Sequence, residues 1–179
     1  MNITVFGGSQ PIEGDAAYAV ACELGKLLAE AGHAVLTGGY IGAMEAVSRG
    51  ASEAGGHVIG VTCEEIENWR KIGANQWVKE ERKKKTLQER LDGLISGCDA
   101  AIALPGGPGT LTEITLLWNL MIVESRHRIP LILVGDGWQS VFGQVFEKQG
   151  IYTSEKQRNL LQFAPDVDTA IKMLESSQV

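Results

Sequence analysis

Short β-branched apolar runs alternate with longer stretches of helical periodicity along this chain, and glycine clusters stand where the runs end. The run at 3–6 leads into Gly7, Gly8 and Ser9. The run at 34–36 leads into Thr37, Gly38 and Gly39, and the run at 100–104 into PGGPGT. Further strands are expected at 58–61 and 129–134, with a short one near 160–163. Helices are expected at 15–31, 43–54, 83–95, 111–124, 138–148 and 167–174, and 62–79 is the least regular stretch. Continuous apolar strands that alternate with helices demand a parallel sheet covered on both faces. The expected fold is α/β, a Rossmann-like, doubly wound parallel sheet in three α/β/α layers, forming a single domain over 1–179. Ligands of such sheets bind outside the carboxyl ends of the strands, where these glycine clusters fall.

Composition narrows the partners. The chain has 179 residues, of which 44% are hydrophobic and 22 are glycine, enough apolar material for a sizeable core. Its net charge of −6 gives no general attraction for nucleic acid or an anionic membrane. A small anion remains possible, because local backbone amides can outweigh the global field. The basic run Arg82–Lys85 reads as a solvated helix face. Cys22, Cys63 and Cys98 are odd in number, widely spaced and without CxxC, which fits free thiols in a reducing, cytoplasmic setting. No His, Cys or acidic cluster has metal-ligand spacing, so no metal is expected. The apolar start of the chain is too short for a signal peptide or a membrane span.

Three segments carry candidate chemistry. In PGGPGTLTE, residues 105–113, Gly106, Gly107 and Gly109 leave the backbone amides uncovered. Thr110 can start the helix, whose free amides form a positive end, so the segment, Pro108 included, is a phosphate cradle. It is neither a Walker loop nor a GxGxxG fingerprint. Thr110 and Glu113 also have capping-box spacing, which gives Glu113 a purely structural alternative. In TGGYIGAME, Gly38, Gly39 and Gly42 permit close approach. Met44 either lines a slot for a base or packs in the core; Arg49 either reaches a phosphate or lies on the surface. Arg90, on the expected helix over 83–95, can overhang the crevice if that helix packs beside the strand at 100–104, offering a planar fork to phosphate or ribose oxygens.

The TGGxxGxM loop, the arginine and PGGxGTxxE at this spacing resemble the Lonely-guy (LOG) family, over nearly the whole chain from FGGS to the strand at 129. That family hydrolyses cytokinin riboside 5′-monophosphates to free base and ribose 5-phosphate, and many members carry a lysine decarboxylase label. The resemblance implies that Arg90 and Glu113 are catalytic. It assigns the phosphate loop to Gly106, Gly107, Gly109 and Thr110, and the first glycine loop to Gly8 and Ser9. The chain departs from the family in placing Leu91 after Arg90, where the phosphohydrolases usually read ERK, and Glu45 after Met44, where glycine is frequent. The string MEAVSRGA is similar to a neighbouring branch that contains a molybdenum-cofactor carrier.

The resemblance therefore implies hydrolysis of the N-glycosidic bond of a nucleoside 5′-monophosphate, such as AMP or an N6-substituted AMP, without a cofactor. A carboxylate, Glu113, would stabilise the positive ribose of the transition state and hold water. A helix start beside Glu113 is expected to favour its ionised form. The alternatives are a non-catalytic carrier of a phosphorylated ligand, such as a nucleotide or molybdenum cofactor, and an inert dimer with a vestigial site. Decarboxylation is disfavoured, since no lysine stands at a glycine-loop edge to form a Schiff base. The segment LTEITLLWNLMIVE has almost no polar face, which predicts a helix covered by the sheet on one side and by a second subunit on the other, hence a homodimer, as the resemblance also implies; the alternative is a helix buried within the monomer.

Overall fold

The computed structural model describes residues 1–177. The expected domain span of 1–179 thus includes Gln178 and Val179, which lie outside the described residues. The strands are β1 (Asn2–Phe6), β2 (Ala34–Thr37), β3 (Val58–Cys63), β4 (Glu80–Lys84), β5 (Ala100–Ala103), β6 (Leu131–Val134) and β7 (Gln162–Ala164). The helices are α1 (Ala16–Glu30), α2 (Ala43–Glu53), α3 (Glu64–Arg70), α4 (Leu87–Ser96), α5 (Pro108–Ile122), α6 (Asp136–Gln149), α7 (Glu155–Arg158) and α8 (Val167–Ser176). All strand pairs are parallel and form one sheet of order β4-β3-β2-β1-β5-β6-β7. The order reverses between β1 and β5, so their carboxyl ends flank the crevice that such sheets offer to ligands.

Side-chain alternation on the strands divides the core between the two faces of the sheet. Ile3, Val5, Val35, Ile102 and Ile132 pack with α1, α2 and α8 on one face. Phe6, Val61, Ala101, Leu131 and Leu133 pack with α4, α5 and α6 on the other. Fully buried Thr4 is satisfied there by donating to the carbonyl of Leu94 at 2.8 Å. This is the three-layer α/β/α architecture expected from the pattern. Among the described residues, no helix is long and apolar enough to cross a membrane.

Two local expectations are corrected. The basic run is an edge strand and not a helix face: Arg82, Lys83 and Lys84 lie in β4, paired with β3. Exposed charge on an edge strand discourages pairing with another chain. The following helix starts later than expected, at Leu87, because Thr86 accepts from the Glu89 amide at 3.2 Å and Glu89 reaches back to the Lys85 amide at 2.9 Å. That reciprocal cap was present in the sequence as Thr86-x-x-Glu89. The irregular stretch holds α3 and then a loop whose Asn75 bonds to the carbonyls of Gly39 and Tyr40 at 2.8 and 2.9 Å.

The second correction concerns α5. Its N-cap is Gly107 and its first residue Pro108, whose missing amide costs nothing at that position. Thr110 therefore lies inside the first turn, Glu113 lies in the second, and no side chain caps the helix start. The capping-box alternative for Glu113 is removed. The stripe Thr110, Glu113, Ile114, Leu117 and Met121 faces inward. On the flank of the helix, Trp118 meets Phe142 and Phe146 edge-on at 5.8 and 6.1 Å. Leu111 and Val123 remain exposed.

Candidate active site

The glycine loops after β1, β2 and β5 interlock at one end of the sheet. The Gly8 amide donates to the Pro105 carbonyl at 3.1 Å, and the Gly8 carbonyl accepts from the Ala43 amide at 2.9 Å. Gly8 and Ser9 thus sit between the other two loops. A Cβ at Gly42, whose φ is +76°, would lie 2.5 Å from the Ser9 Cα, so only glycine closes this corner. A Cβ at Gly106 would lie 2.1 Å from the Thr110 Oγ1. Gly107 and Gly109 instead face open space, and residues 105–109 are all exposed. The uncapped first turn of α5 therefore turns free main-chain N–H groups, at its positive end, toward solvent.

Arg90 and Glu113 meet beside this floor. Both are buried, at 5% and 8% exposure, and Arg90 Nη1 stands 3.7 Å from Glu113 Oε1. Arg90 comes from the second half-turn of α4, and its guanidinium is held by groups of other elements. Nε donates to the Val61 carbonyl at 2.8 Å, Nη2 approaches the Met44 Sδ at 3.8 Å, and the group lies over the Tyr40 ring at 5.6 Å. Gly38 provides the slot: a Cβ there would lie 1.8 Å from Arg90 Nη2 and 2.5 Å from Met44 Sδ. A relay fixes the same loop, with the Gly39 amide donating to Thr37 Oγ1 at 3.1 Å, Thr37 adjoining Ser48 at 3.1 Å, and Ser48 donating to the Met44 carbonyl at 2.7 Å.

The charge state of Glu113 differs from the expectation. Burial pushes its carboxyl up to about 7, against an ordinary value of 4.5, and the nearby Arg90 only partly offsets this. The position of the residue explains the correction. In the second turn of α5 Glu113 is away from the free amides, and at 3.7 Å it has charge attraction from Arg90 without a close hydrogen bond. Tyr40 is raised by burial and stays a neutral phenol.

The sequence-derived candidates thus fall into two adjoining groups. Met44 and Gly38 adjoin the Arg90–Glu113 pair and Gly39 packs next to them against Thr62 and Gly60 of β3, while Gly8, Ser9, Gly42, Gly106, Gly107, Pro108, Gly109 and Thr110 form or brace the exposed amide floor. Arg49 is drawn elsewhere, pairing with Glu13 and Glu53 at 2.6 and 2.9 Å. Sequence reasoning missed Tyr40, the Val61 carbonyl and Asn75. Tyr40 directly follows Gly39 in the glycine loop, a position that offered a signal; a backbone carbonyl offers none.

The family described as possible lysine decarboxylase matches residues 44–174. A rice protein (Oryza sativa subsp. japonica) named as a probable cytokinin riboside 5′-monophosphate phosphoribohydrolase is 30% identical over 178 residues, 97% of this chain and 71% of that protein. The chain belongs to the LOG family. Solved structures agree on the fold. The molybdenum cofactor binding protein of Rippkaea orientalis superposes with a TM-score of 0.76 at 25% identity, covering 99% of this chain and 97% of that one. The molybdenum cofactor carrier protein of Chlamydomonas reinhardtii gives 0.72 at 26% identity, covering 98% and 96%. The decarboxylase description of this LOG-family chain finds little support in its site. Among the described residues no lysine bonds to Arg90 or Glu113; Lys26, Lys79, Lys83 and Lys148 hold partners elsewhere. The residues present do not fit a pyridoxal group.

Proposed function

We propose that the crevice binds a nucleoside 5′-monophosphate, AMP or an N6-substituted AMP, and hydrolyses its N-glycosidic bond. The buried Arg90–Glu113 pair, 3.7 Å apart beside an exposed amide floor, carries this reading. The 5′-phosphate takes the N–H groups of Gly107, Gly109 and Thr110, supplying binding energy remote from the reacting bond. Arg90 holds ribose or phosphate oxygens and aligns the sugar. As the bond to the base stretches, positive charge develops on the ribose ring, and ionised Glu113 stabilises it and accepts a proton from the attacking water. The hydroxyl of that water joins C1′, the bonding electrons leave with the base, and the base ends with the proton. One water is consumed and ribose 5-phosphate is released.

The test is base release from AMP and N6-substituted AMP. Glu113→Gln should lose about 10²–10⁴-fold in kcat while retaining ribose 5-phosphate binding. Full activity in that variant removes Glu113 from the mechanism. The structural similarity to molybdenum cofactor proteins supports a second reading, carriage of a phosphorylated cofactor without turnover. Wild type that binds AMP yet releases no base favours that reading.

The same proposal includes a homodimer built on the outer face of α5, where Leu111 and the C-cap residue Val123 are exposed. It also places the protein in the cytoplasm, in keeping with three unpaired cysteines.

A further inference from the structure

Arg90 is far from its own helix in every interaction that orients it. Its Nε is fixed by the carbonyl of Val61 at 2.8 Å, on β3. The plate beneath its guanidinium is Tyr40, with the ring centroid 5.6 Å from Cζ. Tyr40 is itself anchored to the same strand: its hydroxyl accepts from the Cys63 amide at 2.7 Å and donates to the Cys63 carbonyl at 3.1 Å. Asn75 holds the Tyr40 carbonyl at 2.9 Å, so the backbone of this residue is pinned as well. At 1% exposure the ring has no freedom to swing. The end of β3 thus sets the height of both the guanidinium and the ring under it.

Resonance keeps the guanidinium planar, but a group tied at Nε to one carbonyl can still turn as a plate about the Cδ–Nε single bond. The Tyr40 face and the Met44 sulfur at 3.8 Å are what oppose that rotation and keep Nη1 aimed at Glu113. We propose that Tyr40 is a positioning residue for the hydrolysis, a hydroxyl-anchored plate that holds the Arg90 fork toward Glu113. The inference rests on the catalytic reading of the crevice. Its structural content, the orientation of Arg90, is measurable without turnover.

The experiment compares wild type with Tyr40→Phe, which releases the anchor, and Tyr40→Leu, which also removes the aromatic face. The readouts are thermal melting, kcat and KM for AMP hydrolysis, and the titration midpoint of the Glu113 carboxyl by NMR, assigned with Glu113→Gln. Arg90 is the charged group facing Glu113, and its attraction holds the midpoint down. Loosening the fork should therefore raise the midpoint by about 0.5 pH unit. The kcat should fall about tenfold with KM within about twofold of wild type, more strongly in Tyr40→Leu. Melting that drops while midpoint and kcat stay at wild-type values means that Tyr40 is merely structural, and overturns the proposal.

If neither variant folds, the wild-type spectrum decides. An Arg90 Nε–H vector as rigid as the backbone in 15N relaxation supports a held fork, and mobility like that of an exposed arginine overturns it. Absence of base release in wild type sinks the hydrolase reading alone, because midpoint and guanidinium spectra still report on the plate. Base release with both variants equal to wild type sinks the plate alone.

Discussion

Glu113 carries opposite demands. Burial makes its charge costly, and the proposed hydrolysis needs that charge. With its carboxyl at about 7, the residue ionises across the neutral range, so base release should rise as pH passes through about 7 and level off above it. Stability should move the other way. A folded-state value raised from 4.5 to about 7 leaves its contribution intact below about 4.5 and removes it as pH climbs through about 7. The loss is on the order of 3 kcal/mol. Urea unfolding of wild type and Glu113→Gln across pH 4 to 9 checks this, with the wild-type decline flattened in the variant. Gly38 offers a second test at this scale. An alanine Cβ would collide with Arg90 Nη2 at 1.8 Å, so Gly38→Ala must expel the guanidinium from its slot. Activity should fall by about 10²-fold for a stability cost of about 1–3 kcal/mol, read by kinetics and melting of the same preparation.

At the scale of the element, α5 supplies both the amide floor and the carboxylate. Pro108 starts the helix from a bare glycine cap, so its first-turn amides stay free for a ligand, and one turn further the inward stripe carries Glu113. The Thr110-x-x-Glu113 spacing suited a capping box, yet the helix begins two residues before Thr110 and the box never forms. Gly107 and Gly109 have nothing within 4 Å where a Cβ would go. Gly109→Ala should therefore leave stability within about 0.5 kcal/mol of wild type. Ribose 5-phosphate affinity should weaken by about tenfold, because the methyl group crowds the floor. Calorimetric titration beside a melting curve checks both, and unchanged affinity would place the phosphate elsewhere. Before α4, the basic run of β4 misled because charge alone does not distinguish a helix face from an edge strand. The Thr86 cap makes that distinction, and it could be read in advance.

For the whole molecule, the reversal of strand order between β1 and β5 brings the first and third glycine loops together although about a hundred residues separate them in the chain. The outer face of α5 is the remaining question at this scale. A homodimer across that face predicts that Leu111→Glu with Val123→Glu yields a monomer by sedimentation velocity without unfolding the subunit, since both residues are exposed in the single chain. A double variant that sediments as wild type would move the interface to another face.

Sequence alone determined the layered α/β fold, because apolar periodicity and glycine punctuation are local signals that each segment carries in itself. It also placed the glycine loops and the start of the helix that carries Glu113 at one edge, since strand ends can be counted along the chain, whereas Arg90 came to that edge only on the condition that its helix packs over the crevice. Tertiary structure alone decided how these groups act on one another. The partners of Arg90 come from β3, the loop after β2 and α5, and the rise of the Glu113 carboxyl comes from the protein packed around it. Desolvation and the aim of a guanidinium depend on what surrounds a group in space, and no spacing along a chain encodes that by itself.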